Sequence, residues 1–236
     1  MGNIYVISDL HGKGEAFFRM LKLIDFSKED TMYVIGDVID RGPDGICLLQ
    51  YIRRQENIEL LMGNHEDMML KSCSLKTKMM WMDTWMFNGG GTTFDGLRGL
   101  SKEERKRCIE YVKNLPLYKI LEVEGIQYLL VHAGIQLKSG VLEEDLFEID
   151  REEALWIRQD FFNSPIIPEY YIIFGHTPTG AMVHYAKTLP AVEIEKACRF
   201  HMVRWNHRIG IDCGGAYGEN LGCLRLNDQE EFYVKV

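Results

Sequence analysis

Five apolar runs in this chain each end in a short motif of carboxylate, imidazole or amide side chains. Asp9 and His11 follow Ile4-Tyr5-Val6-Ile7. Asp37 follows Met32-Tyr33-Val34-Ile35, within Gly36-Asp37-Val38-Ile39-Asp40-Arg41-Gly42. Asn64 follows Leu60-Leu61-Met62, within Gly63-Asn64-His65-Glu66. His132 follows Tyr128-Leu129-Leu130-Val131, and Gly175-His176 follows Tyr171-Ile172-Ile173-Phe174. Such runs, rich in aliphatic and aromatic residues and bounded by glycine, aspartate or asparagine, have the pattern of strands. Open α/β sheets carry their chemistry in loops beyond the carboxyl ends of strands. Five strand ends that deliver oxygen and nitrogen ligands therefore read as one metal site assembled from distant sequence.

Residues 3–66 alternate strand, helix, strand, helix, strand, which implies βαβ units and a largely parallel core. Lys13 to Ile24 carries Phe17, Phe18, Leu21 and Ile24 at helical spacing. Pro43 is expected in the first turn of a second helix, with Ile46, Leu49, Tyr51 and Ile52 facing the core. From Asp67 to Pro116 the character changes. Met68, Met69, Met79, Met80, Met82 and Met86 gather there with Trp81 and Trp85, followed by Asn88-Gly89-Gly90-Gly91 and a charged stretch, Ser101 to Asn114. Ser101 and Glu104 make a capping box. The segment at about 67–116 is expected to be an all-helical insertion covering the catalytic edge of the sheet, with the Met and Trp stripe packed in a core. The glycine loop lacks the Lys and Ser or Thr of a P-loop and is expected to be a mobile turn.

Strands return at Lys119–Val123 and Gln127–Val131, a hairpin around Glu124-Gly125-Ile126. Residues 183–188 and 200–205 are expected to pair, and Arg208–Asp212, Leu221–Leu226 and Glu231–Val236 to close the sheets. The stretch around Pro165 and Pro168 is too short for an interdomain linker, so residues 1–236 are read as a single domain. No pattern specifies an oligomeric state.

Composition narrows the function classes. A net charge of −8 lacks the basic footprint of a nucleic-acid binder. No apolar stretch approaches the ~20 residues of a membrane span. The six cysteines are scattered without a C-x-x-C pair, so they are read as reduced thiols of a cytoplasmic protein rather than as zinc ligands or disulfide partners. Ligands drawn from Asp, His and Asn suit Mn, Fe or Zn. Six of them exceed what one catalytic metal with an open position requires. They fit two metals sharing a carboxylate, an arrangement that clamps the attacking and leaving oxygens of an in-line phosphoryl displacement.

The set Asp9-Leu10-His11-Gly12, Gly36-Asp37-Val38-Ile39-Asp40-Arg41-Gly42, Gly63-Asn64-His65-Glu66, His132-Ala133-Gly134 and Gly175-His176-Thr177 resembles the calcineurin-like metallophosphoesterases, in their bacterial phosphoprotein phosphatase branch. Relatives of that branch include the symmetrical diadenosine tetraphosphate hydrolases. The resemblance implies an α/β fold in which a two-layered β-sandwich is flanked by helices. It also implies two divalent ions, manganese first, with iron or zinc as alternatives. Asp9, His11 and a bridging Asp37 would hold one metal, and Asp37, Asn64, His132 and His176 the other. Arg41 would grip the phosphate, His65 would protonate the leaving oxygen, and Asp40 would orient its ring. Leu155-Trp156-Ile157-Arg158 matches the position of a second phosphate-binding arginine, so Arg158 is assigned that role. Glu66 is expected to be structural. His184, His201 and His207 match no motif and are read as surface or satisfied residues.

The function expected from these readings is hydrolysis of phosphate monoesters on phosphoserine or phosphothreonine proteins. The alternative substrate is a nucleotide, diadenosine tetraphosphate, and an alternative of another class is a catalytically silent binding scaffold.

Overall fold

The structure is a computed structural model that describes residues 2–74, 76–136, 149–165 and 169–236. Its strands form two five-stranded sheets. In the first, β1 (Ile4–Ile7), β2 (Thr31–Val34) and β3 (Ile58–Leu60) run parallel. β9 (Asn220–Arg225) joins antiparallel to β1, and β10 (Glu231–Lys235) antiparallel to β9. In the second sheet β5 (Ile126–Val131), β6 (Tyr171–Phe174) and β8 (Arg208–Gly210) are parallel. β4 (Tyr118–Val123) and β7 (Val203–Trp205) close its two edges antiparallel.

Side-chain alternation explains why the sheets stack. In β1, Tyr5 and Ile7 face one apolar cluster while Val6 faces another. In β5, Tyr128 and Leu130 join the cluster of Val6, whereas Leu129 and Val131 join a third. Strands apolar on both faces must be covered on both. The inner faces cover each other through Val6, Ile35, Leu61, Tyr128, Leu130 and Ile173. The outer faces are covered by helices. Phe17 and Met20 of α1 (Gly14–Leu23) and Leu48 and Leu49 of α2 (Gly45–Ile52) pack on the first sheet. Ala154 of α7 (Arg151–Trp156), Phe161 and Phe162 of α8 (Gln159–Asn163), Met182 of α9 (Thr179–Met182) and Ala197 of α10 (Ala191–Cys198) pack on the second. Each fully buried phenylalanine or leucine contributes about 1.5–3 kcal/mol of hydrophobic stabilisation. The expected helix-flanked β-sandwich is the observed fold.

Between β3 and β4 lie four helices, α3 (Asn64–Cys73), α4 (Lys78–Phe87), α5 (Gly91–Gly99) and α6 (Lys102–Lys113). Ser101 caps α6 by accepting from Glu104 N at 3.2 Å. The Glu104 carboxylate does not return to Ser101; it pairs with Arg53 and Gln50 on and beside α2, so only half of the capping box forms. The Met and Trp stripe divides. Met68, Met69 and Trp85 are fully buried, but Met79 and Met80 are 94% and 76% exposed.

Several local expectations are corrected. Phe18 is 48% exposed and Met20 takes its expected place in the core, because α1 presents the Phe17–Met20–Ile24 stripe. Pro43 precedes α2, which starts at Gly45 after the N-cap Asp44. Residues 183–188 form no strand. β7 pairs instead with β8 through a two-residue turn, in which Asn206 and His207 take φ of 45° and 56°. Such a turn matches the twist of a hairpin, so local pairing wins over the longer closure. Gly89 and Gly90 are packed tightly: a Cβ on Gly89 would lie 2.8 Å from Arg41 Cγ, and one on Gly90 2.6 Å from the Trp85 indole nitrogen. Pro168 lies outside the described residues.

Candidate metal centre

The carboxyl ends of β1, β2, β3, β5, β6 and β8 meet, and the five motifs meet with them. Asp9, His11, Asp37, Asn64, His132 and His176 are all buried there. The chain turns sharply after β1, β2 and β6. Asp9, His11, Asp37, Asp40, Arg41 and His176 all have positive φ, between 41° and 70°. Left-handed backbone is uncommon for non-glycine residues, and its concentration at one locus marks a site held by its surroundings. Glycines permit the close approach: a Cβ on Gly63 would lie 2.2 Å from Asp37 Oδ1, and one on Gly175 2.2 Å from Asp9 Oδ2.

Glu66 organises the loops from within. Its Oε2 accepts from Asp37 N at 2.8 Å and Gly63 N at 3.1 Å, and its Oε1 from Val38 N at 2.9 Å and Ile39 N at 3.3 Å. One buried carboxylate thus satisfies four backbone donors in two motifs, the expected structural role.

Asp37 is central. Its Oδ2 lies 3.5 Å from His11 Nε2 and 3.8 Å from His65 Nε2, and its Oδ1 lies 3.5 Å from His132 Nε2. Two groups of donor atoms form around it: His11, Asp37 and His65, and Asp37, His132 and His176, each within 4.8 Å of one another. Asn64 Oδ1 sits 2.8 Å from His132 Nε2 and 3.0 Å from His176 Nδ1. His65 thus enters the first group, whereas the Asp9 carboxylate stands 4.0 Å from His11 Nε2 and accepts the backbone N–H of His176 at 3.0 Å.

Three observations show that divalent cations fit these donors. The Nδ1 of His11 and of His132 lie 3.0 and 2.9 Å from the carbonyls of Ile39 and Ile35. A hydrogen bond of that kind fixes the tautomer and leaves Nε2 with its lone pair toward the centre, as in metal-ligating histidines. Nε2 of His176 is buried with no partner among the described residues. The charges also need a counterion. Burial, and then the charge of Asp37, push Asp9 up to about 7. Asp37 is held well below the ordinary carboxylate range, because positive charge on the surrounding ring of histidines, His132 and His65 first, and the backbone N–H of His65 outweigh its burial; a cation among these donors would act on it in the same direction. Burial pushes His11 and His176 far below the usual imidazole value, which favours the neutral imidazole that can ligate a metal.

The remaining candidates surround this centre. The Arg41 guanidinium lies 2.9 Å from His11 Nε2 and 3.2 Å from His65 Nε2, with the Tyr217 ring 5.4 Å away. Asp40 Oδ2 lies 2.7 Å from His65 Nδ1. Arg158 caps α8, is exposed, and donates from Nε to Thr177 Oγ1 at 3.2 Å, one residue beyond His176. His184 is exposed, while His201 and His207 stack on Tyr233 and Tyr171 away from the centre.

Two residues read from the sequence only as the end of a strand and as part of a core lie beside this centre. Asp212, just beyond β8, is 4% exposed, and burial followed by the charge of Asp9 raises its carboxyl well above the ordinary range. Its signal was present as another strand end, Ile209-Gly210-Ile211-Asp212. The other is Trp85, whose indole Nε1 donates to Asp40 Oδ2 at 2.8 Å. No local pattern distinguishes it from a core tryptophan.

Comparison with known proteins agrees with this geometry. A family model described as calcineurin-like phosphoesterase matches residues 2–205. A symmetrical bis(5'-nucleosyl)-tetraphosphatase of Acidovorax sp. (strain JS42) is 31% identical over 173 residues, covering 69% of this chain and 57% of that protein. The chain therefore spans little more than half the length of that relative. Serine/threonine-protein phosphatase 2 of Escherichia coli (strain K12) is 29% identical, covering 74% of this chain and 79% of that protein. Serine/threonine-protein phosphatase 1 of Salmonella typhimurium (strain LT2) is 25% identical, with 79% and 86% covered. Among solved structures, a provisionally assigned diadenosine tetraphosphatase superposes with a TM-score of 0.68 at 17% identity, covering 99% of this chain and 93% of that one. A serine/threonine phosphatase from Saccharomyces cerevisiae gives 0.57 at 16% identity, with 99% and 79% covered. With its family match, its two stacked sheets and its shared aspartate between two donor groups, the chain belongs to the calcineurin-like phosphoesterase family.

Proposed function

We propose that this protein is a metal-dependent phosphoesterase acting on phosphate monoesters of phosphoserine or phosphothreonine proteins. The observation that carries this reading is Asp37, shared between two groups of nitrogen and oxygen donors. Asp9, His11 and Asp37 would hold one divalent ion, and Asp37, Asn64, His132 and His176 the other, with manganese the leading candidate. When bound, a pair of such ions supplies Lewis acidity to a phosphoryl group.

The chain's own residues do the rest. Arg41 grips phosphate oxygens through a planar fork suited to a tetrahedral anion, and Arg158 approaches from the far rim. His65 gives a proton to the leaving oxygen. Burial disfavours its imidazolium, but Asp37 and Asp40 outweigh burial and raise its pKa, which suits a general acid. Asp40 fixes the ring through Nδ1, so Nε2 faces the centre.

The leading substrate class is a phosphoprotein. Its alignments with the two protein phosphatases span more of those proteins' lengths than the alignment with the Acidovorax tetraphosphatase. Trp85 is buried, while Trp81 is half-buried with the Lys71 ammonium 4.1 Å from its ring, so the two rings do not form one shared exposed face for a nucleobase. The 31% identity to that tetraphosphatase keeps diadenosine tetraphosphate as the second reading. We assign the protein to the cytoplasm from its scattered cysteines; no helix among the described residues is long and apolar enough to cross a membrane.

One assay tests these readings: kcat/KM for a phosphoserine peptide, an aryl phosphate and diadenosine tetraphosphate at one manganese concentration. The peptide is expected to be preferred to the dinucleotide. A dinucleotide value more than about tenfold higher, a difference of about 1.4 kcal/mol in transition-state binding, would replace the phosphatase reading with the nucleotide one. No turnover of any of the three would leave the binding scaffold.

A further inference from the structure

The Asp40–His65 pair has a third member that lies outside every motif. Trp85, on α4, is fully buried, and its Nε1–H donates at 2.8 Å to Asp40 Oδ2, the oxygen that also lies 2.7 Å from His65 Nδ1. The second oxygen of Asp40, Oδ1, is buried with no partner among the described residues. The rotation of this carboxylate therefore depends on two donors to one oxygen. One of them is the ring that Asp40 is meant to orient. The indole is the anchor independent of that ring.

The anchor is itself fixed. A Cβ at Gly90 would lie 2.6 Å from Trp85 Nε1 and 2.7 Å from its Cδ1, so glycine backbone packs directly on the N–H edge of the indole. Gly90 N also donates to Trp85 O at 3.0 Å. From the next helix, Thr93 Oγ1 accepts Asp40 N at 2.9 Å, which secures a residue whose φ is +70°. A core tryptophan needs only some acceptor for its N–H. Here the acceptor is the carboxylate behind the proposed general acid.

We propose that Trp85 is a positioning residue for the reaction: through Asp40 it fixes the imidazole of His65 for proton delivery to the leaving oxygen. This rests on the reading of His65 as general acid. Without the indole N–H, the carboxylate turns more freely and the ring with it, and small misplacements of a reacting group slow a reaction strongly. The α4 helix thus contributes to the chemistry without touching substrate, and Gly90 is glycine because of the indole rather than because of a phosphate.

The test compares His65→Asn, Trp85→Phe and the pair together on a phosphoserine peptide and on 4-nitrophenyl phosphate, whose leaving group needs no proton. Trp85→Phe is expected to lower kcat on the peptide roughly 10–100-fold, the range for outer partners of a functional histidine. The loss on the aryl ester should be clearly smaller, and the double variant should lose no more than His65→Asn alone. Equal losses of Trp85→Phe on both esters, or additive losses in the pair, overturn the inference while the acid reading stands. If His65→Asn itself shows no dependence on the leaving group, both fall. Incorporating 3-benzothienylalanine at position 85 keeps the ring shape and removes only the N–H, which guards against a folding defect in the phenylalanine variant. Gly90→Ala, which displaces the indole, should give the same ester-selective loss. Independently of turnover, the indole N–H resonance of Trp85 should move on Asp40→Asn; an unmoved resonance contradicts the contact.

Discussion

Replacing Glu66 with glutamine changes one oxygen to an amide nitrogen at a point where every neighbour is a donor. The wild-type carboxylate accepts Asp37 N and Gly63 N on Oε2, and Val38 N and Ile39 N on Oε1. Whichever way the amide turns, two backbone N–H groups face an NH2 in a site with no exposure to solvent. A buried donor left without an acceptor costs about 1–3 kcal/mol, so the pair costs about 2–6 kcal/mol, with about 4 kcal/mol as the centre. In a chain of this size each kcal/mol shifts Tm by about 2–4 °C, which gives a fall of roughly 8–16 °C. Glu66→Ala, which removes all four acceptors, should fall further. Thermal unfolding should be followed by circular dichroism in the presence of a chelator, so that metal binding adds no mass-action term. A fall below about 3 °C for Glu66→Gln, or a smaller fall for Glu66→Ala, would refute the claim that this carboxylate holds the two motif loops together.

Asp37→Ala is expected to abolish turnover and to lower metal occupancy at both positions, read by elemental analysis after dialysis against manganese; retention of the wild-type metal content would contradict a shared ligand. Arg41→Ala should reduce kcat/KM by roughly 10²–10³-fold, as for other charge-stabilising groups, and weaken competitive inhibition by inorganic phosphate; unchanged inhibition would remove Arg41 from the phosphate site. Asp30→Asn tests a buried turn anchor. Burial raises the carboxyl of Asp30, but the N–H groups of Asn3 and Ser27 and the Ser27 hydroxyl lower it overall. A depressed folded pKa gives stability that is present above the unfolded value of about 3.9 and lost as pH falls through the folded one. The wild type should therefore melt above Asp30→Asn at neutral pH, and the gap should close below about pH 4; a gap independent of pH would refute the ionic contribution.

Much of the candidate site was legible because its candidate ligands are tied to strand ends. A run such as Tyr128–Val131 is recognisable from composition, and the residue after it inherits a known place at the carboxyl edge of a sheet. Glu66 was set apart from the ligands as the structural member of its motif, and its four backbone donors became visible only in the fold. Arg158 was less legible. It follows a short helix, and only the fold brings it beside Thr177. The failures are of another kind. Pairing of residues 183–188 with 200–205 would need a longer closure, and the tight turn at Asn206-His207 offered a nearer partner.

The sequence by itself determined most of the strands, the order in which they alternate with helices, and the six candidate ligands near their ends, because periodicity and local turn chemistry are written within a few residues of one another. Only the tertiary structure decided which donors cluster. It brought His65 within reach of Asp37 and His11, kept Asp9 farther back, and buried Asp212 close enough to feel the charge of Asp9. It also divided the methionine and tryptophan stripe, leaving Met79 and Met80 in solvent and turning Trp85 inward onto Asp40. The physical reason is that these contacts join residues tens to hundreds of positions apart. Their geometry depends on how two sheets stack and how a helix lies over their edge, and no local pattern records that distance.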